Sequence, residues 1–130
     1  MFEIFDSYSF LNKKIFCLLT SMMYLYLTSL GVRAGYYIPS RSDEGYGVNR
    51  AAIKKLHRKG VTLILTVDTG ITAIDEVEYA KSLGIDIIVT DHHECRPELP
   101  DAVAVIDPHR SDDTYPFKDF AGVGVAYKLI

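Results

Sequence analysis

From Gly31 onward, short unbroken apolar runs alternate with segments whose apolar residues return every third or fourth position. Val32–Pro39 reads as a strand, and Ser40–Gly47 as a turn-rich loop. Val48–Lys59 reads as a helix with Val48, Ala52 and Leu56 on one face and Gly60 as its stop. Val61–Val67 (VTLILTV) is unbroken and rich in β-branched residues, as expected of a strand covered on both faces. Thr72 with Asp75 has the spacing of a capping box and predicts a helix that Gly84 closes. Ile85–Thr90 and Ala102–Ile106 are two more buried strands, and a last helix begins near Gly122. Strands alternating with helices predict βαβ units: the fold class is α/β, a parallel sheet with alternating helices.

The N-terminal forty residues follow another pattern. Lys13 and Lys14 precede IFCLLTSMMYLYLTSLGV (Ile15–Val32), the order of charges and apolar residues in an export signal. Against export, Glu3 and Asp6 put acid ahead of the run, and no small-residue cleavage site follows it. Thr20, Ser21, Thr28 and Ser29 interrupt it, and it sits at the short limit for a span of about 20 residues. A buried helix ended by Gly31 is the preferred reading, and a membrane is not expected. Residues before Lys13 show no usable periodicity.

Composition narrows the function classes. With 130 residues, 48 % apolar and 24 % charged, the chain suits a single small globular domain. The net charge of −3 and pI near 5.7 argue against a protein held to nucleic acid by bulk positive charge. Two cysteines, Cys17 and Cys95, suit reduced thiols in a cytoplasm rather than a disulfide scaffold.

In an open parallel sheet, ligands bind beyond the carboxyl ends of the strands. There the sequence places Asp68 after Val67, then Asp91, His92 and His93 after Thr90, and Asp107 after Ile106. Such a mix of oxygen and nitrogen donors suits Mn²⁺ or Mg²⁺ better than a thiolate zinc site. Taken singly, Asp68 reads equally well as a cap and Asp107 as a turn former before Pro108. The Asp-His-His triplet is harder to explain without function, because three such groups after a buried strand are costly unless paired or coordinated.

With VDTG (Val67–Gly70), TDHHE (Thr90–Glu94), PSRSDEGYGVN (Pro39–Asn49) and AGVGVAYKL (Ala121–Leu129), the sequence resembles the DHH phosphoesterase superfamily. Within it, the likeness is to the RecJ-type single-stranded-DNA-specific exonucleases. The resemblance divides the chain into a poorly matched segment, 1–19, and a partial DHH domain, 20–130. It implies metal-dependent hydrolysis of phosphodiesters in single-stranded DNA, 5′ to 3′, with two Mn²⁺ or Mg²⁺ ions. It also implies that Asp68 bridges the ions, His92 ligates one, His93 contacts the scissile phosphate and Asp91 orients the histidines.

The family's D-Y-D-x-D-G-like motif, which completes both metal sites, has no counterpart here. The resemblance puts its preceding strand at Lys13–Phe16, followed directly by Cys17, Leu18 and Leu19, and leaves Asp6 on the wrong side of it. The family's later aspartate and C-terminal domain are not represented either, so this chain is expected to be impaired or inactive. Arg50, Lys54 and Arg58 form a basic stripe on the predicted helix, readable as a solvated face or, with Arg41, as a contact to single-stranded DNA. No obligate protein partner is implied. Two alternatives stay open: a phosphodiesterase of the same superfamily cutting short oligonucleotides or cyclic dinucleotides, and a non-enzymatic gene fragment that folds in part or, if Ile15–Val32 inserts, is tethered to a membrane.

Overall fold

The computed structural model describes residues 1–6, 13–38 and 47–130. Five strands form one sheet in the order β2-β1-β3-β4-β5, every pair parallel. They are β1 (Phe2–Asp6), β2 (Ala34–Tyr37), β3 (Leu63–Val67), β4 (Asp86–Thr90) and β5 (Ala104–Ile106). The helices are α1 (Lys13–Ser29), α2 (Arg50–Arg58), α3 (Ile74–Ser82) and α4 (Gly122–Lys128).

Successive positions of β3 serve opposite layers. Ile64 packs with Ala52, Ile53 and Leu56 of α2 and Val77 and Ala80 of α3. Leu65 and Val67 pack with Leu19 and Met23 of α1, Ala126 of α4 and Ile4 of β1. A strand covered on both faces has no polar face to show, which is why its sequence is an unbroken apolar run. The predicted α/β class is therefore what the chain adopts, as a three-layer helix–sheet–helix domain. Asn49 starts α2 by accepting the Ala52 N–H on its side-chain oxygen at 2.8 Å, while Gly31 and Gly84 adopt positive φ just past α1 and α3.

The N-terminal expectations need correction. Lys13–Phe16 is the opening of α1, not a strand, and the strand lies earlier, at Phe2–Asp6. Five residues are too few to show a period, and β1 owes its form to pairing with β2 on one side and β3 on the other. Asp6, paired in register with Val67, therefore stands at the carboxyl end of a central strand rather than on the wrong side of one. Helix α1 buries only one face: Leu19, Thr20 and Met23 are covered, while Leu18 and Leu25 are exposed. Two of its hydroxyls are satisfied within the helix, Thr28 donating to the Tyr24 carbonyl and Ser29 to that of Tyr26. Among the described residues, no helix is long and apolar enough to cross a membrane. The Thr72–Asp75 capping box does not form either; Ala73 occupies the N-cap of α3 without a side-chain hydrogen bond.

The strand order reverses direction between β1 and β3. In doubly wound sheets that switch point opens a crevice at the carboxyl edge, because the connections on its two sides leave toward opposite faces. Asp6 and Val67 end the two strands that flank it.

Candidate functional site

Asp68 emerges from β3 at the switch point with φ +59°, the only described non-glycine residue with positive φ. Left-handed backbone at a non-glycine residue costs roughly 1–3 kcal/mol and persists where surrounding structure imposes it. Three hydrogen bonds set this turn. Thr66 Oγ1 donates to the Thr69 carbonyl at 2.6 Å, Thr90 N–H donates to Thr66 Oγ1 at 3.2 Å, and Thr90 Oγ1 donates to the Thr66 carbonyl at 2.6 Å. All three threonine side chains at this turn are buried. Within an apolar run, Thr66 and Thr90 read as ordinary strand residues; their role shows only once β3 and β4 are side by side.

Asp91 is 2 % exposed and uses both carboxylate oxygens on the chain. Oδ2 accepts the Ile71 N–H at 3.0 Å, and Oδ1 accepts the N–H groups of His92 at 2.8 Å and His93 at 3.3 Å. His93 Nδ1 lies 2.5 Å from the same Oδ1, which places the ring proton on Nδ1 and leaves Nε2 as the outward nitrogen. Across the turn, His92 Nε2 meets Asp68 Oδ1 at 2.8 Å. The two imidazoles lie side by side, ring centroids 4.6 Å apart.

Asp68, His92 and His93 each offer one ligand atom, all within 4.8 Å of one another. One carboxylate and two imidazoles form a donor set that fits a divalent first-row metal such as Mn²⁺. Burial pushes the Asp68 carboxyl up from its ordinary 3.8, against the pull of the His92 and His93 charges. Burial lowers His93, but its hydrogen bond to Asp91 and the charges of Asp91, Asp68 and Asp107 hold the imidazole above 6.5. A cation here would relieve a carboxyl that the fold keeps short of water.

Asp107 does not join this cluster. Its Oδ1 accepts the His109 N–H at 2.8 Å, the turn-forming role that Asp before Pro suggests. Its Oδ2 is buried with no hydrogen-bond partner among the described residues, and burial raises its carboxyl above 3.8. Burial and the Asp107 charge likewise push the Cys95 thiol up to about 11, unsuited to a nucleophile. Arg50, Lys54 and Arg58 lie exposed along α2. Only Arg50, at the helix's N-terminal end, starts near the sheet's carboxyl edge; the stripe runs about 12 Å away from it. Arg50 sits 5.2 Å over the Tyr79 ring of α3. Arg41 lies outside the described residues.

Gly122, in the sequence only the start of the last helix and part of AGVGVAYKL, completes the site. A Cβ built there would stand 2.1 Å from Asp68 Oδ1 and 2.7 Å from its Cγ, so α4 reaches the carboxylate only because position 122 lacks a side chain. The signal was the small-residue run Gly122, Val123, Gly124, but its reason lies in a partner 54 positions back.

A doubly wound α/β domain with an acid and two imidazoles converging at its switch point belongs to the class that binds charged ligands at the sheet edge. The chain belongs to the DHH family: the model of the DHH family N-terminal domain matches residues 18–130. It is 52 % identical over 110 residues to the single-stranded-DNA-specific exonuclease RecJ of Bacillus subtilis, covering 85 % of this chain and 14 % of that protein. The RecJ of Escherichia coli is 44 % identical over 112 residues, covering 85 % of this chain and 19 % of that protein. In three dimensions it superposes on a crystal structure of exonuclease RecJ bound to manganese with a TM-score of 0.80 and 30 % identity, over 98 % of this chain and 31 % of that one. Thermus thermophilus RecJ in complex with Mn²⁺ gives a TM-score of 0.71 at 25 % identity, over 98 % of this chain and 17 % of that one. The chain thus spans about a seventh to a fifth of the length of these two curated relatives.

Two outcomes follow. Gly122→Ala forces a methyl group onto the Asp68 carboxylate and is expected to cost about 1–3 kcal/mol in urea denaturation, as overpacking does; an unchanged midpoint contradicts the contact. Because burial raises Asp107, the folded chain holds a proton there that the unfolded chain has released. That preference stabilises the fold fully below pH 3.8 and is lost as pH rises through the folded value. The melting temperature of Asp107→Asn relative to the parent should therefore climb between pH 3 and 7, whereas a constant difference contradicts the shift.

Proposed function

We propose that this chain forms the metal-binding sheet edge of a phosphodiesterase acting on single-stranded DNA, the substrate in the names of its relatives. The observation that carries the reading is the convergence of Asp68, His92 and His93 within 4.8 Å at the switch point. In this reading Asp68 would be a ligand shared by two Mn²⁺ or Mg²⁺ ions, and His92 would be a ligand to one of them. His93, its Nδ1 engaged by Asp91, presents Nε2 to the scissile phosphate. Asp91 holds both histidines in place through its hydrogen bonds. Bound ions would supply charge neutralisation and an activated water for in-line displacement at phosphorus.

Mn²⁺ and Mg²⁺ take about six ligands, mostly oxygen, and the two side chains Asp68 and His92 would hold them weakly. The reading therefore includes slow turnover by this chain. Asp6, at the carboxyl end of β1, stands beside the switch point at the level of the backbone. Polarity from 5′ to 3′ and a cytoplasmic setting belong to the same reading.

A 5′-labelled single-stranded oligonucleotide, incubated with Mn²⁺, tests it. The expected result is mononucleotide release roughly 100-fold or more slower than by a full-length relative, abolished by EDTA and by Asp68→Asn, in line with the cost of weakened metal ligation. Cleavage that persists in EDTA or in the variant contradicts the reading. Turnover confined to a cyclic dinucleotide would replace the substrate.

A further inference from the structure

Between the exit of β5 and the face of α4 lies a cavity of about 300 Å³, walled by Asp107, Pro108, Tyr115, Phe120, Val125 and Lys128. Its aromatic residues continue onto the surface. Phe117 packs edge-on against Phe120 at 4.9 Å between centroids, Tyr115 lies 5.5 Å from Phe120, and the Lys128 ammonium sits 5.2 Å over the Tyr115 ring. Phe117 is nonetheless 50 % exposed and Tyr115 42 %. Grouped aromatic rings left half in water are not explained by the core, since neither buried cluster includes them.

The position of the group is set by two close approaches. Phe120 Cδ1 would lie 2.6 Å from a Cβ at Gly124, so its ring rests on the first turn of α4. The same turn touches Asp68 through Gly122. Phe120 and the Asp68 carboxylate thus both contact the first turn of α4, through Gly124 and Gly122 respectively. Nearby charges are mostly spent: Lys118 pairs with Asp113 at 2.8 Å and Arg110 with Asp112 at 2.6 Å. Lys128 remains over the Tyr115 ring, and Asp107 Oδ2 has no hydrogen-bond partner among the described residues.

We infer that Tyr115, Phe117 and Phe120 form a stacking platform for a nucleobase of the strand whose phosphate lies at Asp68 and the histidines. The inference rests on the reading of the site as one for single-stranded DNA. Flat heteroaromatic bases stack on exposed aromatic faces whatever their sequence, and a cation at the rim favours the linked phosphates. A phosphate chain lacking bases satisfies the metal edge but gains nothing from the rings, and that difference defines the test.

The chain has no tryptophan, so Phe117→Trp places a single reporter on the platform. With Ca²⁺ in place of Mn²⁺, to occupy the metal edge while slowing cutting, 3′-labelled oligothymidylate and an abasic strand of equal phosphate number are titrated and their anisotropy followed. Phe117→Ala is expected to weaken oligothymidylate by roughly 5- to 150-fold, the usual effect of losing one stacked base, without changing the abasic strand. Phe117→Trp should restore the affinity, with emission quenched by oligothymidylate and not by the abasic strand. Equal weakening of both strands, or emission unmoved by bound oligothymidylate, overturns the platform and leaves the single-stranded-DNA reading standing. Failure of both strands to bind the parent chain overturns both.

Discussion

The buried carboxylate of Asp91 ties together segments that are far apart in sequence and must meet for the site to exist. One oxygen takes the Ile71 N–H from the connection after β3, and the other takes the N–H groups of His92 and His93 after β4. The backbone N–H of Asp91 donates to the Ile106 carbonyl at 3.0 Å, which brings in β5 as well. Hydrogen bonds to an ionised acceptor are about twice as strong as neutral ones, and a buried donor left without its partner costs roughly 1–3 kcal/mol. Without Asp91, the Ile71 N–H and both histidine N–H groups would need new partners in a place short of water. The spacing of Asp68, His92 and His93 therefore depends on a residue that need not touch a ligand.

The sheet supplies the rest. Winding α1 and α4 on one face and α2 and α3 on the other parts the chain at the β1–β3 switch point and turns the carboxyl ends of the strands into an open edge. The left-handed backbone of Asp68 and the missing side chain at Gly122 are two halves of one fit, the carboxylate turned back from β3 and the helix able to approach it. The apolar core is indifferent to this arrangement. It holds the strands in register, and the threonine pair Thr66–Thr90 converts that register into the shape of the turn.

Much of this was legible in the sequence where periodicity is strong. The runs VTLILTV and IDIIVT read as buried strands because both faces of β3 and β4 are covered, and the carboxylates and imidazoles after them fall at one edge because parallel strands end together. What was not legible depended on partners distant in sequence. β1 is a strand only because β2 and β3 flank it, so five residues with no visible period gave no strand signal, and Asp6 at their end reads as lying before a strand placed too late, at Lys13–Phe16. Thr72 and Asp75 have capping-box spacing, yet Ile71 is drawn onto Asp91 and the helix begins with Ala73 as its cap. The basic repeat of Arg50, Lys54 and Arg58 marks the exposed side of α2, and its direction relative to the site required the fold.

The central premise is that Asp68 and His92, with His93 beside them, hold a divalent cation. Its most direct test is a Mn²⁺ titration of the chain followed by the free-ion EPR signal, with His92→Ala in parallel. Weak but saturable loss of free Mn²⁺ is expected with the parent chain and none with the variant. No uptake by the parent chain, or uptake that His92→Ala leaves unchanged, would contradict it.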